Sequence, residues 1–538
     1  MQSEIKNIVI VGGGTAGWLT AGLIAAKHTQ DQPADTTLSP ITITLVESPN
    51  VPTIGVGEGT WPSMRETLKK IGINEAELFS CCDASFKQAS KFIDWQKSPI
   101  SHNNINNAFN ETKRAYYHPF SLPQGTAQFD LASVVGSLTT SDSSTQSFAQ
   151  QVCYQSILCE QNLAPKQITV KAYDYIANYG YHLDAGKFSL LLKDHCIKKL
   201  KVNYVSAHIV AVNNDDMGDI ASLSTQDNGE IQGDLFIDCS GAQSLLLGQH
   251  FGIPFCSQKA KLFNDTALAV QVPYEHQDSP IASCTLSTAQ KSGWIWNIGL
   301  QSRCGVGYVY SSQHTSDTLA ENELEQYLNS LSHTNKNSEY SIRKLSFNPG
   351  FYEKFWHRNC VAVGMSAGFI EPLEASALAM VEQAAQMISE QLPVTKRHMA
   401  ITAKRFNEKF TKHWQQIIEF LKLHYVLSER DDSSYWLDNR ESSSIPDSLQ
   451  DMLELWKYQT PSSYDIAHHN PLFPAASYQY VLYGMNFKTH ARQVYNGKHA
   501  QIQRALADVQ HKRQQLSKVI ESNRTLINKI KQYGLATI

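Results

Sequence analysis

A glycine-rich segment near the start of the chain has the spacing of a loop that binds a nucleotide. Gly12, Gly14 and Gly17 form the pattern Gly-x-Gly-x-x-Gly. The first glycine of such a loop permits a tight turn, the second lets the backbone approach a pyrophosphate, and the third lets the following helix pack on the preceding strand. The N-terminus of that helix presents free N–H groups to the anion. The pattern predicts a dinucleotide site, and the alternative is a glycine-rich turn without a ligand.

The elements predicted around this loop agree with a nucleotide-binding unit. Residues 5–11 form a nearly continuous apolar run, which is typical of a buried parallel strand, and residues 18–26 continue as an apolar helix. A second strand is predicted at residues 41–46. Glu47 closes that strand, where an acidic side chain can bind the hydroxyl groups of a ribose. Together these elements make a βαβ unit.

A second candidate turn follows a predicted strand at residues 235–237. Its sequence, Asp238-Cys239-Ser240-Gly241, resembles the second dinucleotide-contacting turn of two-domain FAD monooxygenases. This resemblance favours FAD over NAD as the nucleotide.

Four further motifs follow one another along the chain. They are Gly-Val-Gly-Glu-Gly-Thr at 55–60, Ser-Phe-Lys-Gln-Ala-Ser-Lys-Phe at 85–92, Gly-Trp-Ile-Trp-Asn-Ile at 293–298 and Gly-Phe-Ile-Glu-Pro-Leu-Glu at 368–374. Together they resemble the flavin-dependent tryptophan halogenase family, over roughly residues 5–490. The resemblance implies a mixed α/β fold in which a Rossmann-type FAD-binding module of the flavin monooxygenase kind is interleaved with a mostly helical substrate module.

The resemblance also implies the reaction and the cofactors. In this family a separate flavin reductase delivers reduced FAD, which with O2 and a halide ion gives hypohalous acid, and this acid travels to a separate aromatic pocket. The resemblance implies that the loop around Glu58 and Gly59 covers the flavin. The implied cofactor contacts are Gly12, Gly14, Thr15, Ala16, Gly17, Glu47, Ser48, Glu58, Gly59, Met365 and Leu378.

Lys87, in the second of these motifs, is the candidate halogen carrier. Hypohalous acid is small and indiscriminate, so a protein group must hold its electrophilic halogen beside one carbon of the substrate. The resemblance implies that Lys87 either donates a hydrogen bond to hypohalous acid or becomes an N-halo amine. The alternative is an ordinary surface lysine. Lys91 is predicted to lie one helical turn later, with a structural or electrostatic role.

Glu374 is the second candidate catalytic residue. A carboxylate beside the lysine can orient the amine and take the proton from the cationic arene intermediate. The alternative is a charge at a helix N-terminus that the helix dipole stabilises. By resemblance, the backbone amides of Ser376 and Ala377 bind the halide. The family usually has glycine where Ala377 stands, and the added methyl group would restrict the backbone angles.

Aromatic residues mark the expected substrate side. Trp294 and Trp296 match the family motif Trp-x-Trp-x-Ile-Pro, which walls the flavin off from the organic substrate, but Gly299 replaces the proline and could loosen that wall. His118 and Phe120 match the His-x-Phe that lines the indole pocket.

The expected clamp for an amino acid substrate is incomplete. Phe473, followed by Pro474 and Ala475, stands where tryptophan halogenases place a tryptophan and polar groups. Free tryptophan is therefore one candidate substrate beside simpler indoles, phenols and a larger tryptophan-containing molecule.

The predicted elements group into two discontinuous modules. The FAD-binding module is expected at 1–100 and 165–400, and the substrate-binding, largely helical module at 101–164 and 401–538. Residues 100–165 are predicted as insertions and loops because their periodicity is weak. Residues 500–532 are predicted as one amphipathic stretch that packs on the body, with dimerisation through it as an alternative.

Composition limits the partners. The 538 residues carry a formal net charge of -4, so neither nucleic acid nor an anionic membrane is an expected partner. The ten cysteines form no Cys-x-x-Cys pair, and no apolar run approaches the roughly 20 residues of a membrane span, which favours the cytoplasm. Scattered histidines such as His468 and His469 lack metal-ligand spacing, so no metal is expected.

Two other functions are compatible with parts of the pattern. An aromatic monooxygenase of the same fold would oxygenate its substrate directly, against which Lys87 and the two tryptophans argue. A non-catalytic flavin-binding protein would not need both Lys87 and Glu374. The sequence leaves open the substrate, the ring position, the choice of chloride or bromide and the oligomeric state.

Overall fold

In a computed structural model, the chain forms two compact units. The described residues are 4–28, 39–50, 57–99, 114–126, 131, 135, 146–332, 334–335, 340–466, 471–490 and 499–536. The first unit comprises residues 1–84, 183–258 and 348–414, and the second comprises 85–182, 259–347 and 415–538. These bounds differ from those of the modules expected from the sequence, whose division into a FAD-binding and a substrate-binding part stays a prediction.

Strands and helices are numbered in chain order. The strands are β1 Asn7–Val11, β2 Thr42–Glu47, β3 Gly57–Gly59, β4 Ser85–Lys87, β5 Ala89–Ile93, β6 Ala115–Pro119, β7 Gly180–Asp184, β8 Asn203–Ser206, β9 Ile209–Asn214, β10 Ile220–Thr225, β11 Glu230–Gln232, β12 Leu235–Asp238, β13 Phe255–Ser257, β14 Thr266–Pro273, β15 Thr285–Gln290, β16 Gly293–Gly299, β17 Arg303–Tyr310, β18 Arg343–Ser346, β19 Gly350–Tyr352, β20 Trp356–His357, β21 Cys360–Ala362 and β22 Gly368–Phe369. The helices are α1 Thr15–His28, α2 Ser63–Ile71, α3 Glu75–Cys81, α4 Phe148–Val152, α5 Gln155–Glu160, α6 Ala185–Lys198, α7 Asp317–Ser330, α8 Ser376–Glu390, α9 Lys396–Val426, α10 Ser434–Asp438, α11 Asp447–Trp456, α12 Ala475–Gly484, α13 His499–Val519 and α14 Asn523–Tyr533.

The first unit is built on a six-stranded sheet of order β20-β21-β12-β1-β2-β8. Five of its strands run parallel, and the edge strand β20 pairs antiparallel with β21. Residues Ile8 to Val11 of β1 are all buried, as expected for the centre of a sheet with both faces covered. This sheet confirms the predicted α/β fold class and the first βαβ unit.

Helix α1 follows β1 and is buried on most sides. Nine of its fourteen residues are buried. Side chains from two other helices of the unit bond to its backbone: the thiol of Cys196 on α6 donates to the carbonyl of Trp18 at 3.4 Å, and the hydroxyl of Ser389 on α8 donates to that of Leu23 at 3.1 Å. Helix α1 is therefore bonded to both α6 and α8.

The second unit contains a seven-stranded sheet of order β18-β14-β17-β16-β15-β5-β6. Every residue of β16 and β17 is buried. Helix α7 covers one face with Ala320, Leu324 and Leu328, which recur every four residues and so form one apolar stripe. Strand β4 pairs antiparallel with β7.

Two expectations about local structure were wrong. Residues 100–165 contain β6, α4 and α5 in their described part, because long-range pairing of β6 with β5 supplies order that local periodicity does not show. The amphipathic stretch at 500–532 is two helices rather than one. The first helix ends at Val519, which is 52% exposed, and Ser522 caps the second by accepting a hydrogen bond from the amide of Thr525.

A buried carboxyl group joins two helices of the first unit. Glu382 on α8 is 3% exposed, and it accepts hydrogen bonds from the hydroxyls of Thr67 (2.6 Å) and Ser63 (3.1 Å) on α2. Burial raises the pKa of Glu382 from 4.5 to about 7. Folding therefore favours the protonated form. The stability that this carboxyl contributes is present below about pH 4.5 and is lost as the pH rises through 7.

The first prediction is that Glu382→Gln stabilises the protein at pH 8 relative to wild type, and does so more than at pH 5. An amide keeps an acceptor for one of the two hydroxyls, its NH2 group can donate to the oxygen of the other, and it does not ionise. A pKa shift of this size corresponds to roughly 3 kcal/mol. Thermal unfolding midpoints of both proteins at the two pH values measure the effect. Glu390→Gln, at the exposed end of the same helix, is the control. An equal difference between Glu382→Gln and wild type at both pH values would contradict the prediction.

Candidate active site

The glycine-rich loop has the packing that a nucleotide-binding loop requires. A Cβ atom on Gly12, whose φ is +118°, would lie 2.1 Å from the carbonyl oxygen of Cys239. A Cβ atom on Gly17 would lie 1.9 Å from the carbonyl oxygen of Gly12. A Cβ atom on Gly14 would meet nothing within 4 Å. Gly12 and Gly17 are therefore needed for close packing, and Gly14 leaves an open surface.

The start of α1 offers N–H groups beside that surface. The amide of Trp18 donates to the carbonyl of Gly14 at 3.1 Å, so the N–H groups of Thr15, Ala16 and Gly17 precede the first bond within the helix. The helix dipole adds partial positive charge at this end. The loop thus fits the pyrophosphate of a dinucleotide.

The carboxyl ends of four parallel strands meet at this loop. The amide of Gly12 donates to the carbonyl of Val46 at 2.8 Å, and the amide of Cys239 donates to that of Val11 at 2.8 Å. On the other side of β12, the amide of Val363 donates to the carbonyl of Asp238 at 2.9 Å. In open α/β sheets, ligands bind at this edge.

The turn after β21 lies against the start of α1. A Cβ atom on Gly364, whose φ is +73°, would lie 2.9 Å from the Cβ atom of Ala16. Met365 follows in the same turn and is half-buried, so the structure brings this predicted cofactor contact to the nucleotide loop. Leu378 is buried in the first turn of α8.

Glu47 has a partner that the sequence did not reveal. Its carboxylate lies over Gly13, where a Cβ atom would come within 2.3 Å of Oε1, and its Oε2 accepts a hydrogen bond from Lys193 on α6 at 2.6 Å. The Nζ atom of Lys193 also lies 4.0 Å from the ring centroid of Tyr204. Lys193 and Tyr204 are far from Glu47 in sequence and form no motif with it.

Two other polar residues of this edge are held by protein groups. The Ser48 hydroxyl is bonded to Nδ1 of His208 at 3.0 Å. The Asp238 carboxylate is fully buried and accepts hydrogen bonds from the amides of Leu246 and Leu247 at 2.8 and 2.9 Å. The turn that suggested FAD is therefore shaped by a carboxylate with a structural role.

Glu58 and Gly59 lie on the short strand β3, and Gly55 and Val56 of the same motif lie outside the described residues. Burial raises the pKa of Glu58 to about 7. Just after this strand, the indole N–H of Trp61 donates to the backbone carbonyl of Glu374 at 2.7 Å. The residue that follows the loop expected to cover the flavin is thus bonded to the backbone of the candidate glutamate.

Glu374 sits in a strained turn before α8. It is 6% exposed, and its φ of +65° is followed by a φ of +54° at Ala375. A left-handed conformation costs about 1–2 kcal/mol per residue that is not glycine. Glu374 lies two residues before α8, so its carboxylate is near the partial positive charge at the N-terminus of that helix.

The expected halide amides belong to the first turn of α8. Ser376 is buried, and Ala377 is the exposed second residue of the helix. Such N–H groups lack partners within the helix. Because alanine is the best helix former, the methyl group of Ala377 adds no backbone strain here. The expected restriction at this position is therefore absent.

Lys87 is not a surface lysine. It ends β4, opposite Gly180 of β7, and is 0% exposed. Its Nζ atom lies 5.2 Å from the ring centroid of Phe120. The amide of Phe120 donates to the carbonyl of Gln88 at 3.0 Å, which holds the backbone of Phe120 beside the residue that follows Lys87.

The helical turn expected between Lys87 and Lys91 does not exist. Strand β4 ends at Lys87, and Lys91 lies in β5, between β15 and β6. Between the two strands, the amide of Gln88 donates to the carbonyl of Ser283 at 2.7 Å. Backbone groups of this segment are bonded to distant strands, so its local sequence could not decide between helix and strand. The Nζ atom of Lys91 lies 5.8 Å from the ring of Tyr117.

His118 belongs to an aromatic cluster in the second unit. It is buried on β6, and its Nε2 atom is bonded to the hydroxyl of Ser477 at 2.9 Å. Its ring centroid lies 5.7 Å from that of Phe420, which stacks on Phe473 with centroids 3.9 Å apart. The structure thus brings together His118 and Phe473. Phe420, on α9, had no motif that could have identified it.

Comparisons with known proteins decide the family. The model of the tryptophan halogenase family matches residues 7–500. The chain belongs to this family. It is 30% identical to the tryptophan 6-halogenase of Streptomyces toxytricini, covering 89% of each chain, and 30% identical to the tryptophan 7-halogenase of Lentzea aerocolonigenes, covering 85% of this chain and 83% of the other.

Solved structures agree with this assignment. A tryptophan halogenase from Shewanella frigidimarina is 53% identical, with a TM-score of 0.93 over 100% of both chains. The tryptophan 6-halogenase of Streptomyces toxytricini superposes with a TM-score of 0.86 at 29% identity, over 97% of this chain and 99% of the other. The predicted family and enzyme class, a flavin-dependent halogenase, are confirmed.

The halogenase departs from its family motif at Gly299 without leaving a gap. A Cβ atom there would lie 3.0 Å from Cγ2 of Ile281 and 3.2 Å from the hydroxyl oxygen of Tyr274. Trp294 and Trp296 are both buried on β16, and the indole of Trp296 occupies the space beside Gly307, where a Cβ atom would come within 2.1 Å of the ring. Neighbouring side chains therefore fill the place of the missing proline.

No helix in the described part of the chain is long and apolar enough to cross a membrane. Among the same residues, no group of three or more histidine, cysteine, aspartate or glutamate side chains could hold a metal ion. His468 and His469 lie outside the described residues.

The second prediction concerns the nucleotide loop. Gly17→Ala should lower the thermal unfolding midpoint by several degrees, because the new methyl group would lie 1.9 Å from the carbonyl oxygen of Gly12. Gly14→Ala is the matched control, since its methyl group would meet nothing within 4 Å. Differential scanning calorimetry of the three proteins without added nucleotide measures the effect. Equal midpoints for the two variants would show that the loop is packed differently.

Proposed function

We propose that this halogenase forms hypohalous acid with reduced FAD and halogenates an electron-rich aromatic ring at a separate site that uses Lys87 and Glu374. Tryptophan is the first candidate substrate because the relatives named above are tryptophan halogenases. The observation that carries the proposal is the complete burial of Lys87 beside the ring of Phe120. A buried amine beside an aromatic ring suits the handling of a reactive halogen better than it suits packing.

FAD fits the residues of the first unit. The open surface at Gly14 and the start of α1 would hold its pyrophosphate, and Glu47 would bind the ribose. When bound, reduced FAD supplies the electrons that, with O2 and a halide, yield hypohalous acid. A separate flavin reductase would provide the reduced form. The N–H groups of Ser376 and Ala377 would hold the halide at the N-terminus of α8.

Lys87 and Glu374 would have different roles in the halogenation step. Lys87 would hold the electrophilic halogen, and its burial would keep water from consuming it. The aromatic carbon would then form a bond to the halogen while the bond between the halogen and its oxygen or nitrogen breaks. Glu374 would take the proton that leaves the same carbon, which restores the aromatic ring.

The substrate side is the less defined part of the proposal. His118, Phe420 and Phe473 form a cluster of flat rings, and an indole would pack against rings of this kind. The hydroxyl of Ser477 is bonded to His118 and fixes the orientation of its imidazole. Simpler indoles, phenols and a larger tryptophan-containing molecule stay as alternative substrates. A cytoplasmic location and a homodimer are also predictions.

The third prediction tests the function itself. Wild-type protein incubated with FAD, a flavin reductase, NADH, bromide or chloride and a panel of indoles and phenols should give mono-halogenated products by mass spectrometry. Lys87→Met fills the same buried space without an amine, and it should lower product formation about 100-fold or more while hypohalous acid is still released to a chemical trap. Lys91→Met, four residues away on β5, is the matched control and should keep most activity.

Two results would count against this proposal. If the wild-type protein halogenates no arene, or gives hydroxylated products, the proposed reaction is wrong. If Lys87→Met halogenates at the wild-type rate, the reaction stands but the role of Lys87 does not.

The fourth prediction concerns Lys193. Lys193→Met should weaken FAD binding about fivefold, because it leaves the Glu47 carboxylate unpaired and removes a positive charge near the pyrophosphate. This value is small because the pair is partly exposed, and such pairs contribute up to about 1 kcal/mol. Fluorescence titration with oxidised FAD measures the dissociation constant. Lys198→Met, an exposed lysine on the same helix, makes the same change in charge and should bind FAD as wild type does.

A further inference from the structure

The segment of Glu374 adopts an unusual backbone conformation. Glu374 and Ala375 are consecutive residues with left-handed φ angles, +65° and +54°, and neither is glycine. The amide of Ala375 donates to the carbonyl of Pro372 at 3.0 Å, and α8 begins at the next residue, Ser376. Strained conformations of this kind persist only where the surroundings hold them.

Trp61 supplies a contact that can hold this turn. Its indole N–H donates to the carbonyl of Glu374 at 2.7 Å. This carbonyl belongs to the peptide group between the two left-handed residues. A hydrogen bond to it therefore fixes the rotation of that peptide group, which sets the direction of the Glu374 side chain and the start of α8.

Trp61 is itself held in place by the helix that follows it. The amide of Met64 donates to the carbonyl of Trp61 at 3.1 Å. Ser63 and Thr67, in the first two turns of α2, bond to Glu382 on α8. Three hydrogen bonds thus connect the region of Trp61 and α2 with α8 and the residues before it.

We propose that Trp61 is a positioning residue for halogenation: its indole N–H holds the left-handed turn at Glu374 and Ala375, and so aims the Glu374 carboxylate and the first N–H groups of α8. The inference rests on the proposed function of Glu374. Without the hydrogen bond, the turn relaxes toward right-handed conformations, which are easier for glutamate and alanine. The carboxylate then leaves the position from which it takes the proton.

The test removes the donor and then relieves the strain. Trp61→Phe keeps an aromatic ring but has no N–H, and we expect kcat for halogenation to fall about tenfold and KM for halide to rise. Ala375→Gly makes the left-handed conformation easy at one of the two residues. The double variant Trp61→Phe/Ala375→Gly should therefore recover most of the lost kcat. Ala384→Gly, a right-handed buried position on α8, is the matched control and should not restore activity.

A second variant tests the inference if Trp61→Phe does not fold. Replacing Trp61 by benzothienylalanine keeps the shape of the indole and removes only the N–H group. A crystal structure of either variant reports the φ angles of residues 374 and 375 without any need for activity. The inference requires that at least one of them leaves the left-handed region.

The outcomes separate the inference from the proposed function. Absence of halogenation by the wild-type protein overturns the proposed function, and the crystal structure still tests the role of Trp61. Wild-type kcat in the variants without the N–H, or an unchanged left-handed turn in their structure, overturns the inference. Loss of activity that Ala375→Gly does not restore, or that Ala384→Gly restores equally, also overturns it.

Discussion

The first unit depends on the absence of side chains at two glycines. Gly12 and Gly17 allow β1, α1 and the turn after β12 to approach so closely that a methyl group on either glycine would lie about 2 Å from a carbonyl oxygen. This contact fixes the start of α1 at the carboxyl edge of the parallel strands. Glu47 and the turn of Met365 reach the same edge because β2 is paired in parallel with β1, which precedes the loop, and β21 is paired in parallel with β12. A nucleotide site at this edge is thus a consequence of the sheet.

A different constraint applies to Lys87 in the second unit. Burying an amine costs free energy, because the charged form loses its hydration and even the neutral form needs partners. An ammonium that lies over the face of Phe120 is stabilised by about 0.5–2 kcal/mol, which offsets part of this cost. The cost would be avoided by an apolar residue of similar length, so packing alone does not explain a lysine here. The proposed function, in which Lys87 holds the halogen, would need an amine at this position.

A feature could be predicted from the sequence when the residues that determine it lie close together along the chain. The loop, β1, β2 and the fold class follow from patterns within about 50 residues, and the four ordered motifs identified the family. The Lys193–Glu47 pair and the Trp61–Glu374 bond join segments 146 and 313 residues apart and leave no local pattern. The prediction of a helical turn at Lys91 was wrong for the same reason, since the strand that contains Lys91 pairs with strands that are distant in sequence. By contrast, Ser522 was a readable helix cap, and an N-cap serine could have predicted the break between α13 and α14.

The two departures from the family pattern show why a motif residue has to be judged in its structure. Ala377 replaces glycine at a position where the backbone is helical, and glycine offers no conformational advantage there. Gly299 replaces proline where Ile281 and Tyr274 already occupy the space of a side chain. The strain in this segment lies instead at Glu374 and Ala375, which no motif marked as unusual. A family motif records which residue types recur, whereas the backbone angles and neighbours of each residue determine whether a substitution has a consequence.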